Sequence, residues 1–429
     1  MPNSTAVTPT TATATTTTAD PPKARALSRF KTSIAALRGM NIRLYLAGSA
    51  LSFIGSFVQN FAQWWLVLSL TDNRAALPVT VGLQTLPILL LGTWGGSIVD
   101  RYDNRRLLVV TTILNTLTAT GLGVLVVRGH VRVETVYVFA VLTGLIGVFE
   151  RPALQAIISE FARPDELQSA VGLNSMINPV SRLAGPPIAA LLIGSIGIAW
   201  CFFVNAASFV VFLLALQLTR RGEMLPRRQA VARKGLAREG LQYARHDPIV
   251  GPVLLAMLLV GFAGFNFATI MPLMAKYTFH VGEGGLSLAL SLSAIGSIIG
   301  GAVVAGTRNV DLRLIGIGAV AFGVLLVTGG LAPSFALWAA ANFVIGIFGI
   351  AFTTMVISVL QKSSRPDMLG RVMALYSICF FGTTPFGAFL VAVLTKAFNE
   401  RAGFIAGGAV VALTGISTLV LSRRAQVPT

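Results

Sequence analysis

The feature that most constrains this chain is a series of apolar segments, each long enough to cross a membrane. A helix needs about 20 mostly apolar residues to span a bilayer. Twelve such segments follow one another with short polar turns between them, at 43–70, 78–99, 106–127, 135–158, 168–195, 198–219, 249–272, 285–305, 313–331, 333–360, 369–393 and 402–422. The sequence therefore predicts an all-α polytopic membrane protein with twelve transmembrane helices.

The composition excludes several other classes of protein. Hydrophobic residues make up 54% of the 429 residues and charged residues 11%, whereas soluble proteins contain ~45–50% and ~25%. A soluble enzyme, a disordered protein and a nucleic-acid-binding module are therefore excluded. The chain has no phosphate-binding loop or hydrolase motif, and its two cysteines and three histidines are scattered. We expect no enzyme activity, no cofactor and no metal site.

The positions of lysine and arginine predict the orientation of the chain. Cytoplasmic loops of membrane proteins carry the excess of these residues. If both termini are cytoplasmic, as an even number of spans requires, 25 of the 33 basic residues lie on the cytoplasmic side. This distribution predicts a multi-pass protein of the cell membrane with cytoplasmic N- and C-termini. Most of the net charge of +17 then faces the anionic cytoplasmic surface of the lipid bilayer. No nucleic-acid partner is needed to explain this charge.

The two halves of the chain repeat each other. The sequence Arg-Pro-Asp occurs at 163–165 and 365–367, and Gly-Gly occurs at 95–96 and 300–301, with nearly equal offsets. We therefore predict two pseudo-symmetric six-helix bundles related by an axis along the membrane normal, with a substrate site between them. The predicted divisions are a disordered N-terminal tail (1–40), a first bundle (41–219), a basic linker (220–247), a second bundle (248–422) and a C-terminal tail (423–429).

Several motifs resemble those of the major facilitator superfamily. The loop after the second span reads GGSIVDRYDNRR from residue 95, and it resembles the superfamily's signature loop with a longer turn. Further similar motifs are FERPA at 149–153, RLAGP at 182–186 and NAASF at 205–209. The variant is similar to the branch that contains macrolide-efflux proteins and the enterobactin exporter. The resemblance implies the major facilitator fold and secondary active transport of a small molecule by a monomer.

The resemblance also implies a latch at the cytoplasmic end. In the family, the loop aspartate faces the start of span 11 and a loop arginine pairs with an acid on span 4. By motif, the latch residues are Asp100, Arg101, Arg105, Arg106 and Glu150. The alternative is that these arginines only set the topology, and we favour this alternative for Arg106.

Glu150 is the one acidic residue that the sequence places well inside a span. Ionisable residues within membrane spans are rare and are usually functional. Glu150 is therefore the candidate for proton coupling, and its alternative role is that of a structural partner in the latch. If Glu150 carries no proton, coupling uses Asp72 or Asp100, or transport is uncoupled.

Polar side chains within the spans are candidates for the lining of a substrate cavity. They are Ser56, Gln59, Asn60, Gln63, Gln84, Asn178, Arg182, Asn266, Asn342 and Tyr376. For each one taken singly, hydrogen bonding between helices is the alternative. For Arg182 we expect polar or acidic neighbours, and contact with an anionic substrate is the alternative.

A mostly apolar cavity with few charges suits hydrophobic or amphipathic solutes. We therefore predict proton-coupled efflux of a drug, an antibiotic or a secondary metabolite by alternating access. The alternatives are a siderophore or lysolipid exporter and an uptake permease of the same fold. A channel or a scramblase is the alternative from a different class.

Overall fold

The computed structural model describes residues 37, 39–164, 166–225, 236–307 and 310–424, and all their regular structure is helical. Most of the predicted N-terminal tail, residues 226–235 of the linker and the last five residues lie outside this part of the chain. The prediction of an all-α membrane protein is confirmed.

The helices follow the apolar segments in order. The first half contains α1 (Met40–Leu70), α2 (Ala76–Val99), α3 (Asn104–Val127), α4 (Val133–Ala156), α5 (Leu167–Ile196) and α6 (Ala199–Leu218). The linker contains α7 (Leu236–His246). The second half contains α8 (Val250–Gly264), α9 (Phe267–Leu273), α10 (Glu283–Ala305), α11 (Leu312–Gly330), α12 (Phe335–Ser363), α13 (Leu369–Phe381), α14 (Thr384–Ala397) and α15 (Arg401–Arg424).

Ten helical segments in the described part of the chain are long and apolar enough to cross a membrane. They include α8 with its continuation to Thr278 and α13 joined with α14. Helix α1 is not among them, and the apolar stretch of α2, Ala76–Gly92, is shorter. Both helices nevertheless pack within the same bundle. The count of twelve spans therefore stays a prediction.

Two predicted spans are interrupted. Between α8 and α9 the backbone of Phe265 and Asn266 leaves helical geometry, and the Asn266 amide donates to the carbonyl of Phe262 at 2.8 Å. The five residues that directly follow α9, Met274–Thr278, form a π-helical turn. The second interruption lies between α13 and α14, where Pro385 occupies the first turn of the new helix. Proline suits that position because it has no backbone N–H to satisfy.

Glycine contacts show the internal repeat directly. Gly144 of α4 packs against the backbone of Gln84 in α2, and Gly346 of α12 packs against the backbone of Ser293 in α10. The two glycines are 202 residues apart, the same offset as the repeated Arg-Pro-Asp motif. Small residues let membrane helices approach closely. The helix pairs α2–α4 and α10–α12 are therefore built in the same way.

Among the described residues, the two halves share a core at only one end of the bundle. We call this the distal end, and the opposite one, where the linker lies, the linker end. The largest buried cluster contains Leu66 and Val67 of α1 together with Leu273 and Met274 from the second half. A separate cluster at the linker end, which includes Tyr45 of α1, contains residues of the first half alone. The halves are thus joined distally.

Candidate functional site

A cleft opens between the halves at the linker end. On α5, Met176, Val180 and Leu191 form one exposed apolar stripe, as expected of a surface that faces lipid. The opposite face carries Val171, Ser175 and Asn178, which are also exposed. Further along this second face the helix is buried, and Gly185 packs against Phe57 and Ala189 is enclosed. The face away from lipid is therefore open at the linker end and closed beyond the middle of the bundle.

Glu150 lies on α4 and faces α3. Its Oε1 atom accepts a hydrogen bond from the Asn115 amide nitrogen at 2.9 Å. Asn115 is buried, and Glu150 is half-buried. Glu150 thus has a neutral amide as its hydrogen-bond partner and one neighbouring cation, Arg151.

Arg105 does not contact Glu150 in this structure, and the predicted pairing of Arg101 or Arg105 with Glu150 stays a prediction. The Arg105 guanidinium instead donates to the carbonyl oxygens of Leu216 and Gln217, at 2.9 and 3.1 Å, and to the Thr219 hydroxyl at 2.9 Å. Arginine stabilises a helix C-terminus in this way because the last carbonyls have no partner within the helix. Arg105 thus caps α6 and holds the start of the linker.

The other residues of the signature loop take structural positions. The Asp103 carboxylate caps α3 by accepting from the backbone N–H of Arg106 at 3.0 Å, and it also lies 3.8 Å from the Arg106 guanidinium. Arg101 is exposed. Asp100 ends α2, and its backbone N–H donates to the carbonyl of Gly96. The latch as a whole stays a prediction for a state in which the linker end closes.

Two arginines within the membrane spans have no hydrogen-bond acceptor in the described part of the chain: Arg151 on α4 and Arg182 on α5. Arg151 is exposed, and its Nε atom lies near Gly147 on the α4 face that meets α2. Arg182 follows Asn178 by one turn on the cleft face of α5. No described ion pair or hydrogen bond contains the Arg182 side chain, so the expected polar or acidic neighbour of Arg182 stays a prediction. The Arg151 charge lies near the Glu150 carboxylate, whereas Arg182 has no charged neighbour in the described part of the chain.

The structure divides the predicted cavity residues into two groups. Ser56, Asn60, Gln84, Asn178 and Arg182 retain exposed surface, whereas Gln59, Gln63, Asn266, Asn342 and Tyr376 are buried. Gln59 accepts from the Asn205 amide of α6 at 2.7 Å, and Asn342 donates to the carbonyl of Trp338 at 2.8 Å. Gln59, Asn266 and Asn342 thus bond a neighbouring helix or their own backbone, whereas Gln63 Nε2 and Asn342 Oδ1 have no partner among the described residues. The cavity lining stays a prediction.

A group of charged residues at the distal end joins the halves, and it was not predicted from the sequence. We call Asp72, Arg74, Lys276, Tyr277 and Glu400 the distal clasp. Arg74 Nε lies 2.8 Å from Glu400 Oε1, and Lys276 Nζ lies 3.5 Å from Asp72 Oδ1. Lys276 also donates to the carbonyl of Leu68.

An aromatic ring lies at the centre of the distal clasp. The Arg74 guanidinium and the Lys276 ammonium lie 5.3 and 4.8 Å from the centre of the Tyr277 ring. Such cation–π contacts add to the two ion pairs. The signal available in the sequence was that distal loops of opposite halves carry complementary charges.

A helical membrane bundle of two repeated halves, closed distally and open at the linker end around a cleft, defines a membrane transporter of the major facilitator superfamily. Within that superfamily the chain belongs to the transmembrane secretion effector family, whose profile matches residues 31–428.

Relatives of known name agree with this assignment. The staphyloferrin A transporter of Staphylococcus aureus is 26% identical over 259 residues, which are 60% of this chain and 65% of that protein. Macrolide efflux protein A of Streptococcus pyogenes is 21% identical over 371 residues, 85% of this chain and 92% of that protein. The resemblance to the macrolide-efflux branch is confirmed.

A solved structure shows the same fold. A bacterial homologue of the human lysosomal transporter Spinster, crystallised in an inward-facing and unoccupied conformation, superposes with a TM-score of 0.69. The match covers 89% of this chain and 96% of that chain at 15% sequence identity. It confirms the major facilitator fold.

Proposed function

We propose that the protein exports amphipathic organic molecules from the cell by alternating access. The observation that carries this proposal is the contrast between the closed distal clasp and the open cleft at the linker end. The excess of basic residues on the linker side supports a cytoplasmic position for that end, so the cleft faces the compartment from which an exporter loads. The protein would act as a monomer in the cell membrane with both termini inside.

Protons are the proposed driving ion, and Glu150 is their proposed carrier. Glu150 is the acid that lies deepest in a span, and its Asn115 contact leaves its second oxygen free of any described hydrogen bond. A carboxylate in this position gains or loses a proton as water enters or leaves the cleft. Export would then be coupled to proton entry.

A second candidate substrate class is a molecule that carries carboxylate groups, such as a siderophore. Arg182 favours it because a guanidinium without a described protein partner suits a bidentate contact with a carboxylate, and Arg151 adds a second cation. The name of the staphyloferrin A transporter points in the same direction. A basic macrolide would form no favourable charge interaction with these two side chains. The two substrate classes therefore require different side chains in the cleft.

A proton-flux assay with the purified protein in proteoliposomes tests the proposal. We expect a macrolide or a polycarboxylate siderophore to trigger proton movement across the membrane in the wild-type protein. The Glu150→Gln variant should lose this coupled flux, whereas Glu134→Gln, an exposed acid at the distal end of the same helix, should retain it. Persistent flux in Glu150→Gln would move coupling to Asp72 or Asp100. If every compound crosses only down its own gradient at channel-like rates, the proposal of secondary active export is wrong.

The direction of transport is measured in a separate experiment. An exporter accumulates substrate inside vesicles whose protein is inserted with its linker end outwards, when the vesicle interior is made acidic. Accumulation that instead requires an acidic exterior in the same vesicles would identify an uptake permease.

A further inference from the structure

A groove on the outer surface of the second half lies apart from the cleft. Its upper part, at the linker end, is a cavity of about 280 Å³ lined by Arg313, Ile317, Leu419, Ser422 and Arg423. Its lower part is an open apolar cavity of about 460 Å³ that shares Ile317 and Leu419 with the first and continues along Val320, Val324 and Phe348. Helices α11, α12 and α15 therefore form one continuous groove with a charged end and an apolar end.

The charged end has two cations and no described carboxylate in its lining. Arg313 and Arg423 are both exposed, one in the first turn of α11 and the other in the last turn of α15. Neither belongs to a described ion pair. The nearby Asp311 carboxylate instead caps α11 by accepting from the backbone N–H of Leu314 at 2.8 Å. Two guanidinium groups on opposite sides of one cavity attract an anion with several oxygens.

The apolar end faces the membrane. Ile317 and Val324 on α11 and Ile416 and Val420 on α15 are all 46–49% exposed, as expected of side chains that contact lipid rather than protein. Whatever occupies the groove must therefore be apolar over one part of its length and anionic at the other. It must also have its anionic end at the membrane surface, where the basic residues of the chain are concentrated.

We propose that this groove binds one anionic phospholipid. The phosphate group lies between Arg313 and Arg423, where the Ser422 hydroxyl is a further possible donor in place of its present bond to the Leu419 carbonyl. One acyl chain follows Ile317, Val320 and Val324 towards the bilayer centre. The site ties α11 to α15 at the level of the headgroups. A free phosphate ion would use only the upper part, so the apolar part distinguishes a lipid from an inorganic anion.

Native mass spectrometry of the full-length protein tests the site. The probes are phosphatidylglycerol and phosphatidylcholine with identical acyl chains, offered in equal amounts in detergent. We expect wild-type protein to retain phosphatidylglycerol preferentially. The double variant Arg313→Gln/Arg423→Gln should lose this preference by on the order of tenfold, given the usual contribution of each basic residue near a lipid surface.

Two further variants make the result specific. Arg163→Gln/Arg245→Gln removes two exposed arginines of the linker side outside the groove and should leave the preference unchanged. Val324→Trp fills the apolar part, keeps both arginines and should also weaken phosphatidylglycerol retention. A thermal unfolding curve for each variant shows that it is folded.

Three results would overturn the proposal. The first is equal retention of the two lipids by wild-type protein. The second is a preference that survives the Arg313→Gln/Arg423→Gln change. The third is displacement of phosphatidylglycerol by millimolar inorganic phosphate with no effect of Val324→Trp, which would mean that the arginines bind a free anion.

Discussion

Arg74 and Glu400 form an ion pair that joins the first loop of one half to the last loop of the other. The distance between Arg74 Nε and Glu400 Oε1 is 2.8 Å, and the Glu400 side chain is only 6% exposed. A carboxylate this deeply buried is costly without its cation. The pair therefore favours the state in which the distal end is closed, and opening that end must first hydrate Glu400.

Replacing Arg74 by glutamine should shift the protein towards a distal-open state by about 1–3 kcal/mol, the usual cost of leaving a buried polar group without its partner. The shift can be measured as a distance distribution between spin labels at Ser69 and Lys396, after Cys201 and Cys379 are replaced by alanine. Asp72→Asn is the control, because Asp72 is 97% exposed and exposed ion pairs contribute little. The reversed pair Arg74→Glu/Glu400→Arg should recover part of the closed population. No shift in Arg74→Gln would show that the clasp does not set the conformational equilibrium.

Glu150→Gln should abolish the pH dependence of transport while leaving the protein folded. Glutamine keeps the Oε1 acceptor that the Asn115 amide contacts at 2.9 Å, so the packing of α3 against α4 is preserved, but it cannot take up a proton. Downhill exchange of labelled substrate should then continue at a rate that no longer changes with pH. Asn115→Leu is the complementary variant, since it removes the hydrogen bond but leaves the titratable group. A pH profile unchanged in Glu150→Gln would assign Glu150 to structure alone.

Arg182→Gln should weaken binding of a carboxylate substrate by about ten- to a hundredfold, because a hydrogen bond to a charged group contributes ~1.5–3 kcal/mol. Arg182→Lys keeps the charge but loses the bidentate geometry, so an intermediate loss is expected. Binding of a basic macrolide should not weaken in either variant. Binding constants from tryptophan fluorescence or scintillation proximity measure these effects. Equal losses for both ligand classes would indicate that Arg182 acts through the shape of α5 rather than through its charge.

Much of the fold follows from the sequence because lipid imposes simple rules. Apolar length determines where helices form, and the repeated Arg-Pro-Asp and Gly-Gly motifs predict that the halves are built alike. Gly144 and Gly346 then occupy equivalent positions in the structure. The break at Asn266 was not predicted, because no proline or glycine pair marks it and its cause is a side chain that bonds the backbone of its own helix.

The functional residues were harder to predict because their partners are distant in sequence. The distal clasp joins Arg74 to Glu400 across most of the chain, so local pattern carries no sign of it. Gln59 shows the opposite difficulty, since it lies on a polar helix face that resembles a cavity lining, yet it contacts Asn205 in the interface with α6. Polarity within a span therefore does not distinguish a side chain that bonds a neighbouring helix from one that lines a cavity.

Adding one methyl group should have opposite effects at two glycines. Within a helix, alanine is normally more stable than glycine by roughly 0.5–1 kcal/mol. At Gly172 a Cβ atom meets nothing within 4 Å, so Gly172→Ala should stabilise the protein. At Gly144 the same atom would press on the backbone of Gln84 and lie 3.1 Å from Pro87 Cγ, so Gly144→Ala should lower the unfolding temperature. Thermal unfolding in detergent measures both, and stabilisation at Gly144 would contradict the close α2–α4 packing.

Arg105 offers the sharpest test of the signature loop. Its guanidinium caps α6 through Leu216, Gln217 and Thr219, so Arg105→Gln should destabilise the protein by about 1–3 kcal/mol. Combination with Thr219→Val should be non-additive, because the two side chains share a hydrogen bond, whereas combination with Glu150→Gln should be additive within ~0.5 kcal/mol. The measurement is unfolding in detergent for each single and double variant. Transport rates should be measured for the same variants. If the Arg105 and Glu150 substitutions are non-additive in transport but additive in unfolding, the two residues pair only when the linker end closes.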